Sequence, residues 1–244
     1  MISYFFILLI TFLYTNMYKN VFYNTYKKNI YSQNGEDGII EEILKRLNIT
    51  SGWVCEFGAW DGKHLSNTFH LVKNRGFNAV YIEGDSTKFK DLLVTANQYK
   101  NIKPIKAFVE YNSKKNNLDS ILSNTEIPKD FDILSIDIDS FDYQIWKSLE
   151  LYLPKIVIIE INSYIHPDIK NHIHTPNKFQ GTSFRPMVEL GIQKGYKFLL
   201  HTGNMFFIRN DLFEQLNAIY ENPLENFNIT FFNEKQKYLR SIKR

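Results

Sequence analysis

A doubly wound, mainly parallel α/β sheet of seven strands, with helices on both faces and an antiparallel hairpin closing one edge, is the fold class this sequence predicts. Two observations lead to it. Short apolar runs alternate with stretches of helical periodicity, the pattern of strand–helix–strand units around a buried parallel sheet. Acidic and amide residues (Glu56, Glu83, Asp137, Asp139, Glu160, Asn162) recur at the ends of those runs, and open α/β sheets bind ligands outside the carboxyl ends of their strands.

The chain has 244 residues, with 29 Lys and Arg against 26 Asp and Glu. That is room for one domain with a sizeable core. The charges are scattered and form no arginine-rich stripe, which argues against a nucleic-acid partner. The one cysteine, Cys55, lies inside the first apolar run of the domain. An intrachain disulfide and a cysteine-based zinc site are therefore excluded, and Cys55 reads as a small core residue.

Residues 1–16 stand apart as a hydrophobic segment. The run is shorter than the ~20 residues a helix needs to span a bilayer comfortably. It lacks the preceding basic residue and the small-residue cleavage site of a secretory signal. Lys19, Lys27 and Lys28 follow it, which favours keeping the body of the protein cytoplasmic. A membrane anchor through residues 2–15, a signal, and an apolar helix packed on the domain or a partner are the three readings, the anchor foremost; without an anchor the protein is expected to be cytoplasmic. Residues 17–30 read as a tether, 31–220 as the domain and 221–244 as a polar tail.

In order, the polar turn Tyr31-Ser32-Gln33-Asn34-Gly35-Glu36-Asp37-Gly38 precedes a helix at 39–47. The turn reads either as an N-cap with acids near the positive helix end or as a hook, led by Gln33, over a ligand pocket. The first strand, 53–57, carries Glu56 and runs into Gly58, Asp61 and Gly62, glycines that permit positive φ and close approach of a ligand to the backbone. Ser66-Asn67-Thr68 starts a helix at 69–75. A second strand, 79–82, ends in Glu83, 25 residues after Gly58, near the ~20 at which such a unit places a ribose-binding acid. Asp85 and Ser86 are the better caps for the helix at 88–99, which leaves Glu83 to a sugar.

The third strand, 102–108, ends at Val109, where a bound nucleotide presents its base. A short helix at 118–123 and a strand at 131–136 lead into Asp137-Ile138-Asp139-Ser140-Phe141-Asp142. Asp137 and Asp139 point the same way in an extended segment while Asp142 caps the next helix, 143–149. Three acids at a buried strand end are costly unless something binds them. The fifth strand, 155–161, holds Glu160 and is followed by Asn162. The long loop 164–180 carries His166, His172 and His174 and reads as a lid that could supply a general base. Gly181-Thr182-Ser183 caps a helix at 184–194. Strands at 196–201 and 204–208 form the hairpin, and a helix at 210–220 ends the domain.

The run Val54-Cys55-Glu56-Phe57-Gly58-Ala59-Trp60-Asp61-Gly62 resembles the first S-adenosylmethionine motif of class I methyltransferases, and Tyr81-Ile82-Glu83 resembles the second. Ser32 to Gly38, Ser66-Asn67-Thr68, Leu134-Ser135-Ile136-Asp137-Ile138-Asp139 and Phe206-Phe207-Ile208-Arg209 are similar to FkbM-type methyltransferases over about residues 31–212. The resemblance implies a Rossmann-like domain, S-adenosylmethionine as cofactor, and O-methylation of a glycan or another hydroxylated small molecule. Glu56, Gly58, Asp61, Gly62, Glu83, Gln33, Val109 and Asp137 are then the expected cofactor residues, and Asp139, His166 and Asp137 the expected catalytic ones. Similarity to macrocin-type O-methyltransferases implies Mg²⁺ at Asp137, Asp139, Glu160 and Asn162. The alternatives are a membrane-tethered binding module on the same fold and a nicotinamide-dependent oxidoreductase; against the latter, no Gly-x-Gly-x-x-Gly is present.

Overall fold

Burial sorts the apolar runs into seven strands of one sheet. In the computed structural model, which describes residues 25–176, 181–216, 232–233 and 235–236, they are β1 (Trp53–Phe57), β2 (Asn78–Glu83), β3 (Ile102–Lys106), β4 (Ile133–Ile136), β5 (Ile156–Glu160), β6 (Tyr196–His201) and β7 (Asn204–Arg209). Their order is β3-β2-β1-β4-β5-β7-β6. Neighbours pair in parallel except around β7, which runs antiparallel to both β5 and β6. The expected doubly wound sheet with its closing hairpin is present.

Among the described residues six helices flank it: α1 (Glu36–Arg46), α2 (Phe69–Arg75), α3 (Ser86–Gln98), α4 (Leu118–Leu122), α5 (Asp142–Ser148) and α6 (Phe184–Gln193). The period-2 alternation of the strands feeds two cores. Leu134, Ile136, Val157 and Ile159 pack with Trp146 and Met187 on one face. Ile133, Ile156 and Ile158 pack with Ile39, Ile43 and Leu44 of α1 on the other. Each such side chain contributes about 1.5–3 kcal/mol by leaving water, so the central strands are buried from both sides.

Element ends differ from the sequence pattern where side chains intervene. α1 begins at Glu36, three residues before its apolar stripe, because Gly35 turns into it at φ 98°. β4 begins after Asp132, whose carboxylate accepts the Trp53 N–H at 2.8 Å and the Lys155 ammonium at 2.6 Å. The expected last helix is a 3-10 helix over Asn210–Leu216, with 217–220 outside the described residues. The apolar run at 2–15 also lies outside them; among the described residues no helix is long and apolar enough to cross a membrane. After β3 the chain returns to place β4 beside β1, and the crevice at that reversal holds the site.

Candidate active site

β1 and β4 deliver their loops side by side, and glycine makes this feasible. Gly58 has φ +75°, and a Cβ on it would lie 1.9 Å from the carbonyl oxygen of Asp137, so a side chain would drive the two loops apart. Glu83, at the end of β2, accepts the N–H of Trp60 at 2.9 Å on one oxygen and that of Asp85 at 2.7 Å on the other. Asp85 caps α3 as the sequence indicated, accepting the N–H groups of Thr87 and Lys88. Between these loops lies a cleft of about 720 Å³, with Glu56, Gly58, Glu83 and Val109 on one side and Asp137 and Phe141 on the other.

Glu56 is only 7% exposed. Its Oε2 accepts hydrogen bonds from Ser66 Oγ at 2.9 Å and Thr68 Oγ1 at 2.6 Å. Burial pushes its carboxyl up to about 7, and the hydroxyl donors restrain that rise.

The acidic run after β4 is built differently from the expectation. Asp142 is not the cap of α5 but its first residue, and its carboxylate folds back over the loop, accepting the N–H groups of Ile138 and Ser140, each at 2.9 Å. Asp139 sits in that loop at φ 58°. Asp137, Asp139 and Glu160 each bring one carboxylate oxygen within 4.8 Å of the others. Asp137 and Glu160 share a hydrogen bond, and both carboxyls are raised, first by burial and then by the surrounding negative charge. Asp137 reaches water through the cleft it lines yet is crowded by protein on its other sides. The two carboxyls titrate as one unit, displaced toward the protonated form.

The turn before α1 consumes its own acids. Asp37 Oδ2 accepts the N–H groups of Ile30, Tyr31 and Ser32 and the Ser32 hydroxyl, all at 2.7–2.8 Å. Glu36 accepts the Asn34 N–H at 2.6 Å and the Thr202 hydroxyl at 2.7 Å. Neither acid caps α1 through its side chain. They fasten a hook to the β6–β7 turn, and the hook presents Gln33 and Asn34. These border a second cavity of about 300 Å³, walled also by Asn162, Ser163, Gly203 and Asn204. The two cavities have Gln33, Asp137, Asp139 and Glu160 in common.

Of the residues singled out in the sequence, Glu56, Gly58, Glu83, Gln33, Val109, Asp137, Asp139 and Glu160 line the cleft, and Asn162 lines the smaller cavity, its Oδ1 accepting the Tyr164 N–H. Asp61 and Gly62 border neither. Asp61 shapes the turn by accepting the N–H groups of Lys63 and His64, and Gly62 packs on Leu92 and Tyr81. His166 is also outside both cavities, its ring edge-on to Phe232 at 5.3 Å and its Nδ1 accepting the Asp168 N–H. His174 is buried edge-on against Phe141, 4.6 Å between centroids. Ser183 precedes α6 without capping it and instead bonds the carbonyls of Ile169 and His172, drawing the loop after β5 onto that helix.

Sequence reasoning passed over Trp60, His64, Phe108 and Phe141 in the cleft, and Ser163, Gly203 and Asn204 in the smaller cavity. Phe108 and Phe141 stand within the strand-end segments already read for their polar residues, so weighing the aromatic residues of those segments as ligand walls finds them. Gly203 and Asn204 carry no such signal, because the antiparallel pairing of Glu160 with Asn204 brings the start of β7 to the end of β5.

A sheet of this order, with a buried strand-end acid, a glycine turn and a second strand-end carboxylate around one cleft, is a Rossmann-like arrangement with its cleft at the strand carboxyl ends. The chain belongs to the FkbM methyltransferase domain family, whose sequence model matches residues 35–198. Among solved structures it is similar to the N-terminal domain of EvdMO1 in the presence of S-adenosyl-homocysteine and D-fucose, at TM-score 0.47 and 10% identity over 72% of this chain and 81% of that one. It is similar also to an S-adenosylmethionine-dependent methyltransferase from Clostridium acetobutylicum, at TM-score 0.45 and 12% identity over 71% and 90%. A third is TrmK of M. capricolum in complex with S-adenosyl-homocysteine, at TM-score 0.43 and 14% identity, with 68% of this chain covering 65% of that one. No curated protein matches the chain.

Proposed function

We propose that this enzyme methylates a hydroxyl of a sugar or another hydroxylated small molecule held in the smaller cavity, with S-adenosylmethionine in the larger cleft. The observation that supports this reading is the pair of adjoining cavities joined at Gln33, Asp137, Asp139 and Glu160. An acid-lined junction lies where a methyl group passing from cofactor to acceptor must cross. In favour of the cofactor in this cleft, Gly58 lets the loops after β1 and β4 close on each other, and Glu56 and Glu83 both line it.

In this reading Glu56 faces the amino-acid end of the cofactor, Glu83 the ribose and Val109 the base, while Gln33 closes the cleft from above. When bound, S-adenosylmethionine would supply an electrophilic methyl group to the acceptor oxygen, with S-adenosylhomocysteine as the leaving product. The acceptor's hydroxyl proton passes to Asp139, held in reach by the loop that Asp142 fastens, while Asp137 and Glu160 retain their shared proton. In-line placement and proton removal are what the reaction needs from the chain. A Mg²⁺ ion held by Asp137, Asp139 and Glu160 would compete with the proton that Asp137 and Glu160 share.

The test is calorimetric titration of S-adenosylhomocysteine into the full chain, followed by methyl transfer from labelled cofactor to a panel of sugars. Micromolar binding and label in a sugar are expected, with Asp139→Asn abolishing transfer and leaving cofactor affinity within about twofold. Transfer lost on chelation and restored by Mg²⁺ assigns the ion to these acids. Absence of binding overturns the reading.

A further inference from the structure

We infer that Thr68 and Tyr81 are positioning residues that keep Glu56 ionised through a relay of hydroxyls running behind the cofactor cleft. The inference rests on the reading that Glu56 faces the amino group of the cofactor. Thr68 Oγ1 donates to Glu56 Oε2 at 2.6 Å, and the Tyr81 hydroxyl lies 2.8 Å from that same Oγ1. A threonine hydroxyl has one proton. Because it is committed to Glu56, the phenol must donate to Thr68, and the chain runs Tyr81 to Thr68 to Glu56. Ser66 supplies a second donor to the same oxygen at 2.9 Å, and its own lone pairs accept the N–H groups of Thr68 and Phe69.

Three parts of the fold meet in this chain of hydrogen bonds. Glu56 is on β1, Tyr81 is its register partner on β2, and Thr68 closes the loop that leads into α2. Thr68 and Tyr81 are 0% exposed, and a phenol oxygen placed there without a partner would be costly. Both hydroxyl donors fall on Oε2. The arrangement stabilises the carboxylate against its burial from the side away from the ligand.

The titratable groups that face Glu56 are few. Cys55 and Tyr81 are both raised by burial and stay neutral, and Asp137, across the cleft floor, shares an electrostatic interaction with it. Cys55 and Tyr81 offer no positive charge to hold the carboxylate. The Thr68 and Ser66 hydroxyls favour its ionisation most, with the backbone N–H groups of Thr68 and Asn67 adding to them, so removing one hydroxyl moves its titration toward higher pH.

The experiment measures S-adenosylhomocysteine affinity of the full chain by calorimetry from about pH 6 to pH 9, as the ratio of wild type to variant at each pH. Thr68→Val is expected to bind about fivefold more weakly near pH 7, approaching about tenfold near pH 6, and to converge with wild type near pH 9. That is an upward shift of roughly one pH unit, the scale of one lost hydrogen bond to a charge. Tyr81→Phe should shift the same way by less, and Thr68→Ser should behave as wild type. A loss that is equal at all pH values means the residues merely pack, and overturns the relay. If Thr68→Val does not fold, Tyr81→Phe, which deletes one oxygen, decides the question by the same criterion. Glu56→Gln with unchanged affinity would remove Glu56 from the cofactor, a failure distinct from that of the relay.

Discussion

Asp137 and Glu160 hydrogen-bond carboxyl to carboxyl across the ends of two adjacent parallel strands. The register pairs Ile136 with Ile159, so the next residue on each strand falls opposite the other. Two ionised carboxylates so placed repel strongly, and a shared proton relieves the repulsion. Parallel pairing thus converts two acids 23 positions apart in the chain into one titrating unit at the junction of the two cavities.

This pairing makes stability depend on pH in a defined sense. The folded pKa of both groups is raised above the unfolded value, as it is for Glu56 and Asp142. Their contribution is complete below the unfolded carboxylate range, about pH 4, and is lost as pH rises through the folded values. The thermal midpoint is expected to fall between about pH 5 and pH 8. Glu160→Gln, which keeps a hydrogen-bonding partner and removes a charge, should flatten that decline. An unchanged slope in unfolding scans of the variant would argue against the shared proton.

The two glycines of the first turn should differ sharply in tolerance. At Gly58 a Cβ would meet backbone, the Asp137 carbonyl oxygen, at 1.9 Å. At Gly62 the nearest atom is a methyl group of Leu92 at 2.8 Å, which can move. Both have positive φ, which alone costs an alanine on the order of 1 kcal/mol. Gly58→Ala is expected to lose at least ~3 kcal/mol of stability or fail to fold, and Gly62→Ala about 1–2 kcal/mol. Denaturant midpoints of the two variants measure the gap.

Glu83 serves the loop and, in the proposed function, the ribose. Glu83→Ala removes the acceptor for Trp60 and Asp85 and should weaken S-adenosylhomocysteine binding by about 1–3 kcal/mol. Glu83→Gln retains one carbonyl acceptor and should fall between. Wild-type affinity in the alanine variant would take Glu83 off the ribose.

The Thr202 hydroxyl ties the hook to the hairpin. Thr202→Val strands Glu36, which is 0% exposed, without the donor on Oε1, and a loss of about 1–3 kcal/mol is expected. Hydrogen exchange of the amides of Ser32 and Asn34, which bond to Asp37 and Glu36, should accelerate with it. Protection equal to wild type would show that the hook holds without the hairpin.

How far the sequence could be read follows from where each signal is written. The alternation of apolar runs with helical stretches, the strand-end positions of Glu56, Glu83, Asp137 and Glu160, and the cap at Asp85 are local patterns, and each is legible because strand burial and capping depend on neighbours close in the chain. Asp142 reads as a helix cap in the sequence and fastens a loop in the structure, while of the two readings open for the turn before α1 it is the hook that Glu36 and Asp37 build. Their partners Thr202, Ile30 to Ser32, and Ile138 with Ser140 depend on how loops fold back, and periodicity carries nothing about that. His166 looked like a base because it follows a strand end, yet its loop turns it toward Phe232.

By itself, then, the sequence determined the sheet, its direction and the end at which a cofactor would lie, since those follow from burial of a repeating local pattern. The tertiary structure alone decided that Asp137 faces Glu160, that Asn204 walls the second cavity, and that Tyr81 backs Glu56 through Thr68. Those relationships are set by register between strands distant in sequence. Register is a property of the packed sheet as a whole and is written in no single stretch of the chain.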